Sequence, residues 1–293
     1  MSVERPVLRW HGGKWVLAPW IISHFPRHRI YVEPFGGAAS VLLRKAPAYA
    51  EVYNDLDELV VLLFRVLREP TKADRLRALL ELTPFARAEF EEAWQDEGDD
   101  VERARRFIAR SFMGFGSNAH SDLGKGAKTT GFRANSSRSG TTPAHDWRNY
   151  PAGITDVVER LRGVTIENRP AIQVMQAHDS RETLHYVDPP YLPETRGRKN
   201  RYDNKHQYRH ELTRDDHAAL LEALKVLKGM VVLSGYPARL YDDALTGWRR
   251  VERAALADGA RERTEVLWIN PACAEAMDAE TGALPLFFGE AAE

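Results

Sequence analysis

Residues 31–40 read YVEPFGGAAS. The run from Arg29 to Glu33 has the length and apolar content of a short buried strand. Pro34 fixes its own φ and holds the residue before it extended, so the strand stops on an acid. Gly36 and Gly37 then let the backbone approach a ligand, and Val41 to Lys45 reads as a helical run. A strand that passes through a glycine turn into a helix is the geometry of a nucleotide site at the carboxyl end of a parallel strand. A helix-start turn with no ligand has the same outline. The dinucleotide pattern G-x-G-x-x-G is missing here, which removes a nicotinamide dehydrogenase. An acid ahead of the loop suits a ligand with an ammonium or other positive centre better than a pyrophosphate.

The pattern continues outward. Glu51 to Asn54 reads as a second strand ending in Asp55, 22 residues after Glu33. In open α/β sheets an acid at about 20 residues accepts hydrogen bonds from ribose hydroxyls. The alternative is a helix N-cap, for which Asp55 and Asp57 compete. The helix itself carries Leu59, Val60, Leu62, Leu63, Val66 and Leu67 at helical spacing. Alternation resumes near Ile154. A helix to Leu161, a strand Val164–Glu167, a helix from Ala171 to Gln176 and a strand into Asp188 follow in turn. Thr213, with Asp216 three residues on, is a plausible N-cap for the next helix. Met230 to Ser234 is another buried strand, and Trp248–Leu256 with Glu265–Asn270 could form a closing antiparallel pair.

Such βα alternation implies an α/β fold, a mostly parallel sheet with helices on both faces. Residues 69 to 151 interrupt it. From Thr71 to about Ser111 the pattern is helical only, with Pro84 at a helix start and Phe85, Phe90 and Trp94 along one face. Phe112 to Trp147 is a long loop rich in Gly, Ser, Thr and Asn, a length that is usually functional. The expected division is therefore a discontinuous domain of residues 1–68 and 152–293, with an insert of residues 69–151. The tail after Pro271 carries no readable pattern.

Composition sets the outer limits. With 293 residues and 43% hydrophobic content the chain can bury a sizeable core. Cys273, the single cysteine, excludes an internal disulfide and fits a cytoplasmic protein. No signal peptide or transmembrane run is legible. Net charge is −1, but it is unevenly spread. Residues 81–102 carry nine acids and one base, whereas 103–148 carry nine bases and two acids, and 194–214 seven bases and three acids. The basic blocks fit a polyanion-binding face, or ordinary solvated surface.

Two further stretches carry chemistry. Residues 186–191 read YVDPPY. An ionised Asp188 only accepts hydrogen bonds, and the Pro189 carbonyl is a second acceptor. Together they could grip an NH₂ group, while Tyr191 could stack on a flat ring. The set suits a planar base with an exocyclic amine, whose lone pair is delocalised into the ring. Two acceptors aimed at its hydrogens favour a pyramidal nitrogen with a localised lone pair, and neither metal nor covalent intermediate is needed. Residues 9–15, RWHGGKW, read as a close-approach turn between an aromatic wall and a lysine, or as a plain turn.

In this order the motifs resemble the Dam-like adenine-N6 DNA methyltransferases, of a phage or prophage type, over most of the chain. Trp10, Gly12, Gly13 and Lys14 fit "W-x-G-G-K". Glu33, Pro34, Phe35, Gly36 and Gly37 fit "E-P-F-x-G", Asp55 fits the acid after the second strand, and Asp188, Pro189, Pro190 and Tyr191 fit "D-P-P-Y". The resemblance implies a class I methyltransferase fold, a Rossmann-like mixed seven-stranded sheet with an inserted, mainly helical DNA-recognition domain. It implies methyl transfer from S-adenosyl-L-methionine to adenine N6 in double-stranded DNA, with the target base flipped out of the duplex. Trp10, Gly12, Gly13 and Lys14 would lie near the methionine moiety, Glu33 to Gly37 and Asp188 against the cofactor, and Asp55 on its ribose. Asp188 and Pro189 would grip the amine, with Pro190 and Tyr191 completing the catalytic turn. Arg103, Arg106, Lys125, Lys128, Arg133, Arg138, Arg148, Arg198 and Lys199 would meet DNA. The implied enzyme works without a metal or a membrane and as a monomer. A cognate restriction endonuclease is left open.

Two positions depart from the family pattern. The last glycine of the first loop is Ala39, a mild change if that position is helical. Where "E-N-x-D" is expected the chain reads Glu167-Asn-Arg-Pro170, which leaves Asn168 as a candidate for the cofactor's adenine. Rival readings are methylation of cytosine N4, of an RNA base or of a glutamine side chain, and a DNA-binding module with a degenerate pocket.

Overall fold

The computed structural model describes residues 3–95, 97–116, 130–134, 140–195, 209–257 and 261–282. Its strands are β1 (Ile30–Glu33), β2 (Ala50–Asn54), β3 (Val164–Glu167), β4 (Thr183–Val187), β5 (Met230–Gly235), β6 (Arg249–Ala257) and β7 (Arg261–Ile269). The α-helices are α1 (Ala18–Ile22), α2 (Glu58–Arg68), α3 (Pro70–Leu82), α4 (Arg87–Glu92), α5 (Asp100–Met113), α6 (Pro143–Arg148), α7 (Ile154–Arg160), α8 (Ala171–Ala177), α9 (Arg214–Lys225), α10 (Arg239–Ala244) and α11 (Pro271–Gly282). The strands form one seven-stranded sheet in the order β3-β2-β1-β4-β5-β7-β6. β1 to β5 run parallel, and β7 is antiparallel to both β5 and β6. The order reverses between β1 and β4, so their carboxyl ends flank a crevice where open sheets bind ligands.

Both faces of the sheet are covered, as the near-continuous apolar strands require. On one face Leu184, Tyr186 and Val232 join a cluster with α2, α5, α7 and α11. On the other, Val187, Val231 and Leu233 pack with α8, α9 and α10. Alternate strand residues thus serve opposite layers. The segment 69–151 does not keep a core to itself. Leu76 and Leu80 of α3, Phe90 of α4 and Phe107 and Ile108 of α5 belong to the same buried cluster as Tyr31 of β1 and Leu63 of α2.

Local signals explain the helix boundaries. Asp57 caps α2, its carboxylate accepting from the Leu59 N–H at 2.9 Å, which leaves Asp55 outside the cap. Thr213 and Asp216 form a reciprocal capping box on α9. Among the described residues no helix is long and apolar enough to cross a membrane, and no group of three or more His, Cys, Asp or Glu could hold a metal ion.

The expected helical run at Val41–Lys45 is instead a string of turns. The Leu42 N–H goes to the Glu33 carboxylate at 3.0 Å, which ties these turns to β1, while Leu43 and Lys45 donate four residues back to the Ala39 and Val41 carbonyls. Ala39 has φ 53° and 0% exposure, so its position is left-handed rather than helical, and only glycine adopts that backbone freely. Ala39→Gly is therefore expected to stay within about 1 kcal/mol of wild type, strain relief offsetting the lost methyl, whereas Ala39→Val loses about 2 kcal/mol or more. Chemical denaturation of the two variants checks this. A tolerated valine would mean that the loop does not hold this backbone.

Candidate active site

The carboxyl ends of β1, β2 and β4 open on a cavity of about 400 Å³. Every motif read from the sequence reaches its wall. Trp10, Gly12, Gly13 and Lys14, Glu33 to Gly37 with Asp55, and Asp188 to Tyr191 all line the cavity. Arg209, His210, Glu211 and Leu212, ahead of α9, border the same space. Asn168 does not reach the wall. Its side-chain amide donates to the Asp55 carbonyl at 2.7 Å, so it braces the β2 turn.

Glycine is required at the β1 turn for steric reasons. A Cβ on Gly36 would stand 2.1 Å from the Tyr53 ring, and one on Gly37 would stand 2.5 Å from the Trp10 indole nitrogen. The Tyr53 hydroxyl donates to the Gly37 carbonyl at 2.6 Å. The Gly37 N–H donates to the Asp55 carboxylate at 2.8 Å, and the Asp57 N–H to its other oxygen at 2.8 Å. Asp55 therefore ties the first turn to the second. Asn54 adds a further stitch, donating to the Pro34 carbonyl at 2.9 Å and the Arg169 carbonyl at 3.0 Å.

Glu33 is 2% exposed and accepts from the Tyr31 hydroxyl at 2.7 Å and the Leu42 N–H at 3.0 Å. Burial pushes its carboxyl up to about 8 against those hydrogen bonds, with the Asp188 charge adding to the rise. Burial likewise raises Asp55 to about 6, opposed by the N–H groups that it accepts. A cavity with two raised acids favours a ligand that brings positive charge.

The β4 turn is built around Asp188. One of its oxygens meets the Lys14 ammonium at 2.9 Å. The other, Oδ1, is buried and has no hydrogen-bond partner among the described residues. Burial raises this carboxyl to about 6 and the Glu265 charge adds to the rise, while Lys14 and the Tyr191 hydroxyl pull it down. Lys14 also donates to the Gly12 carbonyl at 2.8 Å and sits 4.7 Å from the centre of the Tyr191 ring. Expected at the cofactor's methionine moiety, Lys14 thus also joins that turn to Asp188. Tyr191 is 8% exposed, with its hydroxyl on Glu265 and Ser234 and its ring edge-on to Tyr236 at 4.5 Å. It is a clamped wall of the cavity more than an open platform.

Among the basic residues expected to meet DNA, Arg148 is exposed and Arg103 half-buried. Arg106 is held by Glu102 at 2.8 Å and by the Gln95 carbonyl at 3.1 Å. Arg133 is 8% exposed and 3.6 Å from Asp146, so a phosphate would have to compete with that acid. Lys125, Lys128, Arg138, Arg198 and Lys199 lie outside the described residues. Sequence reading missed Glu265, Ser234 and Tyr236 around the turn that holds Asp188 and Tyr191. Glu265 had a faint signal, an acid heading the apolar run that forms the end of β7.

A sheet in this order, with its pocket at the carboxyl ends of β1, β2 and β4, is the class I methyltransferase architecture. The sequence model of the D12 class N6 adenine-specific DNA methyltransferase family matches residues 10–247, and the chain belongs to that family. A comparison with individually curated proteins finds no match.

Proposed function

We propose that the protein transfers a methyl group from S-adenosyl-L-methionine to N6 of an adenine flipped out of duplex DNA. The observation that carries this reading is the buried Oδ1 of Asp188, beside Pro189 on the cavity wall, which has no hydrogen-bond partner among the described residues. Its chemistry asks for a donor, and an exocyclic amine supplies one.

The cavity around Glu33 and Asp55 fits the cofactor. Glu33 would take the methionine ammonium, Gly36 and Gly37 would let the backbone approach, Asp55 would hold the ribose, and Trp10 with the Gly12–Lys14 turn would close the methionine end. When bound, S-adenosyl-L-methionine would supply a methyl group on a positive sulfur, open to direct attack by the amine, with the sulfur–methyl bond breaking to leave a neutral thioether and the methylated nitrogen losing one proton to solvent. Asp188 and the Pro189 carbonyl accept the two amine hydrogens and localise the nitrogen lone pair. That interaction strengthens as the nitrogen gains positive charge, so it stabilises the transition state more than the ground state. Lys14 offsets part of the cost of a buried carboxylate and leaves Oδ1 for the substrate. In a duplex the amine is stacked and paired, so the base must leave the helix. The basic stretch 103–148, together with Arg198 and Lys199, would hold the phosphates during that step.

Only the ionised Asp188 accepts both ways, so the transfer rate is expected to fall as pH drops through about 6. A profile of single-turnover rate against pH measures it, and a flat profile from pH 8 to 5 would remove Asp188 from the role. The decisive test of the whole reading is transfer of labelled methyl to duplexes with adenine or with cytosine as the only acceptor base in their target strand. Label in adenine supports it. Label only in cytosine, in RNA or in protein would sink it, and DNA binding with no cofactor binding would favour a non-catalytic module.

A further inference from the structure

Four segments of the chain converge behind the catalytic turn on one carboxylate that belongs to none of its motifs. Glu265 lies in β7, next to the end of β5, where Gly235 pairs with Val266. It is 3% exposed and is not part of the cavity wall. Its Oε1 accepts from the Ser234 hydroxyl of β5 at 2.8 Å and from the Tyr191 hydroxyl. The Lys14 ammonium stands 3.8 Å from the same oxygen and 2.9 Å from Asp188. A lysine from the N-terminal turn is thus shared between two buried acids, one facing the cavity and one behind it.

A buried carboxylate far from solvent is unfavourable unless its partners satisfy it. Here they do, and each partner is itself a part of the site. We propose that Glu265 is a positioning residue for methyl transfer: it anchors the Tyr191 hydroxyl and draws on Lys14, so that the ammonium orients Asp188 without capturing both its oxygens. The inference rests on the reading of Asp188 as the acceptor of the amine hydrogens. Glu265 acts through Tyr191 and Lys14 and touches neither substrate nor cofactor.

Two effects are separable. As an anchor, Glu265 fixes the rotation of the Tyr191 ring, which Tyr236 and Lys14 contact from two sides. As a charge, it opposes the pull of Lys14 on Asp188. The other groups that bear on Asp188 or on its neighbours are Glu33 from β1, Tyr186 from β4, Tyr191 beside it, Tyr236 after β5 and Tyr241 from α10. Arg263 of β7 faces Tyr236. Glu265 is the acid among these that shares the Lys14 cation with Asp188.

The test uses the full chain with S-adenosyl-L-methionine and an adenine-containing duplex, and reads kcat against pH, cofactor Kd and Tm. For Glu265→Gln, kcat near pH 8 is expected to fall about tenfold through loss of positioning. The acid limb of the profile is expected to move down by about half a pH unit as a neighbouring negative charge is removed. Cofactor Kd should stay within about threefold, because Glu265 is not in the cavity wall. Glu265→Asp keeps the charge but not the reach, so its acid limb should match wild type while kcat falls by an intermediate factor. An unmoved limb with kcat within about twofold for Glu265→Gln would overturn the proposal. So would a loss of kcat that follows Tm alone, which is a purely structural role. If Glu265→Gln does not fold, Glu265→Asp decides, and full activity in that variant counts against the anchor. A wild-type protein that transfers no methyl group brings down the functional reading and this inference together. An active wild type indistinguishable from Glu265→Gln removes only the role of Glu265.

Discussion

Asp188→Ala is expected to abolish methyl transfer, by a factor on the order of 10³, while leaving cofactor affinity within a few-fold. The size follows from what is removed. The variant loses the acceptor whose Oδ1 has no partner among the described residues, so the amine keeps only the Pro189 carbonyl. The nitrogen lone pair then stays delocalised into the ring, and the barrier rises by the differential interaction that the carboxylate supplied. Cofactor binding is expected to survive because Glu33, Gly37 and Asp55 are held by Tyr31, Leu42 and Asp57, and none of those bonds runs through Asp188. One complication is Lys14, which the alanine strips of its 2.9 Å partner while Glu265 remains at 3.8 Å. Asp188→Asn keeps the shape of the turn and serves as the folding control. Single-turnover transfer and equilibrium cofactor binding, measured side by side, decide the matter. Retention of more than about a tenth of the wild-type rate in the alanine variant would show that another group accepts the amine hydrogens.

The sheet was legible because its strands are short apolar runs that stop on chemically distinctive residues. Glu33, Asp55 and Asp188 mark the carboxyl ends of β1, β2 and β4, and the structure gathers all three around one cavity. Other features were hidden for definite reasons. Residues 41–45 have helical spacing, yet they form turns that follow a left-handed Ala39 and are tied to β1 through the Leu42 N–H on Glu33; local pattern cannot report a contact with another element. The left-handed backbone of Ala39 is hidden for the same reason, since alanine is the strongest helix former and its identity points the wrong way. Helix α11 buries Cys273 and Ala274 but most of its other positions are small or charged, so it has no apolar stripe to read. Glu265 reaches Tyr191 across β5, in a register that only the assembled sheet defines. The insert read as separate because it breaks the βα alternation, but its helices α3, α4 and α5 bury their apolar faces in the same cluster as β1 and α2.

Glu33→Gln is expected to make the ligand-free protein more stable and the cofactor weaker. Glu33 is 2% exposed and its carboxyl is held up at about 8, against 4.5 for an ordinary glutamate, mainly by burial. The folded state therefore binds a proton that the unfolded state releases between those values. For such a raised acid the favourable contribution is complete below pH 4.5 and is lost as pH rises through 8. At pH 7 folding carries a penalty of about 3 kcal/mol from this one group, which glutamine avoids. Glutamine can still accept from the Tyr31 hydroxyl and the Leu42 N–H, so the turn has its anchor. The stability gain should be largest near pH 8 and should vanish below about pH 4.5, as seen in denaturation midpoints across that range. A ligand ammonium reverses the balance: it favours the ionised Glu33, so wild type should release close to one proton on binding near pH 7. Calorimetry in buffers of different ionisation enthalpy reads that proton directly. Glu33→Gln should lose both the proton release and about a hundredfold in cofactor affinity, the worth of one buried charge-assisted contact. A stability difference independent of pH, or cofactor binding with no proton released, would place the ligand's positive centre away from Glu33. With both expected results in hand, Glu33 is a site kept uncharged until a cation arrives, the usual trade of stability for binding.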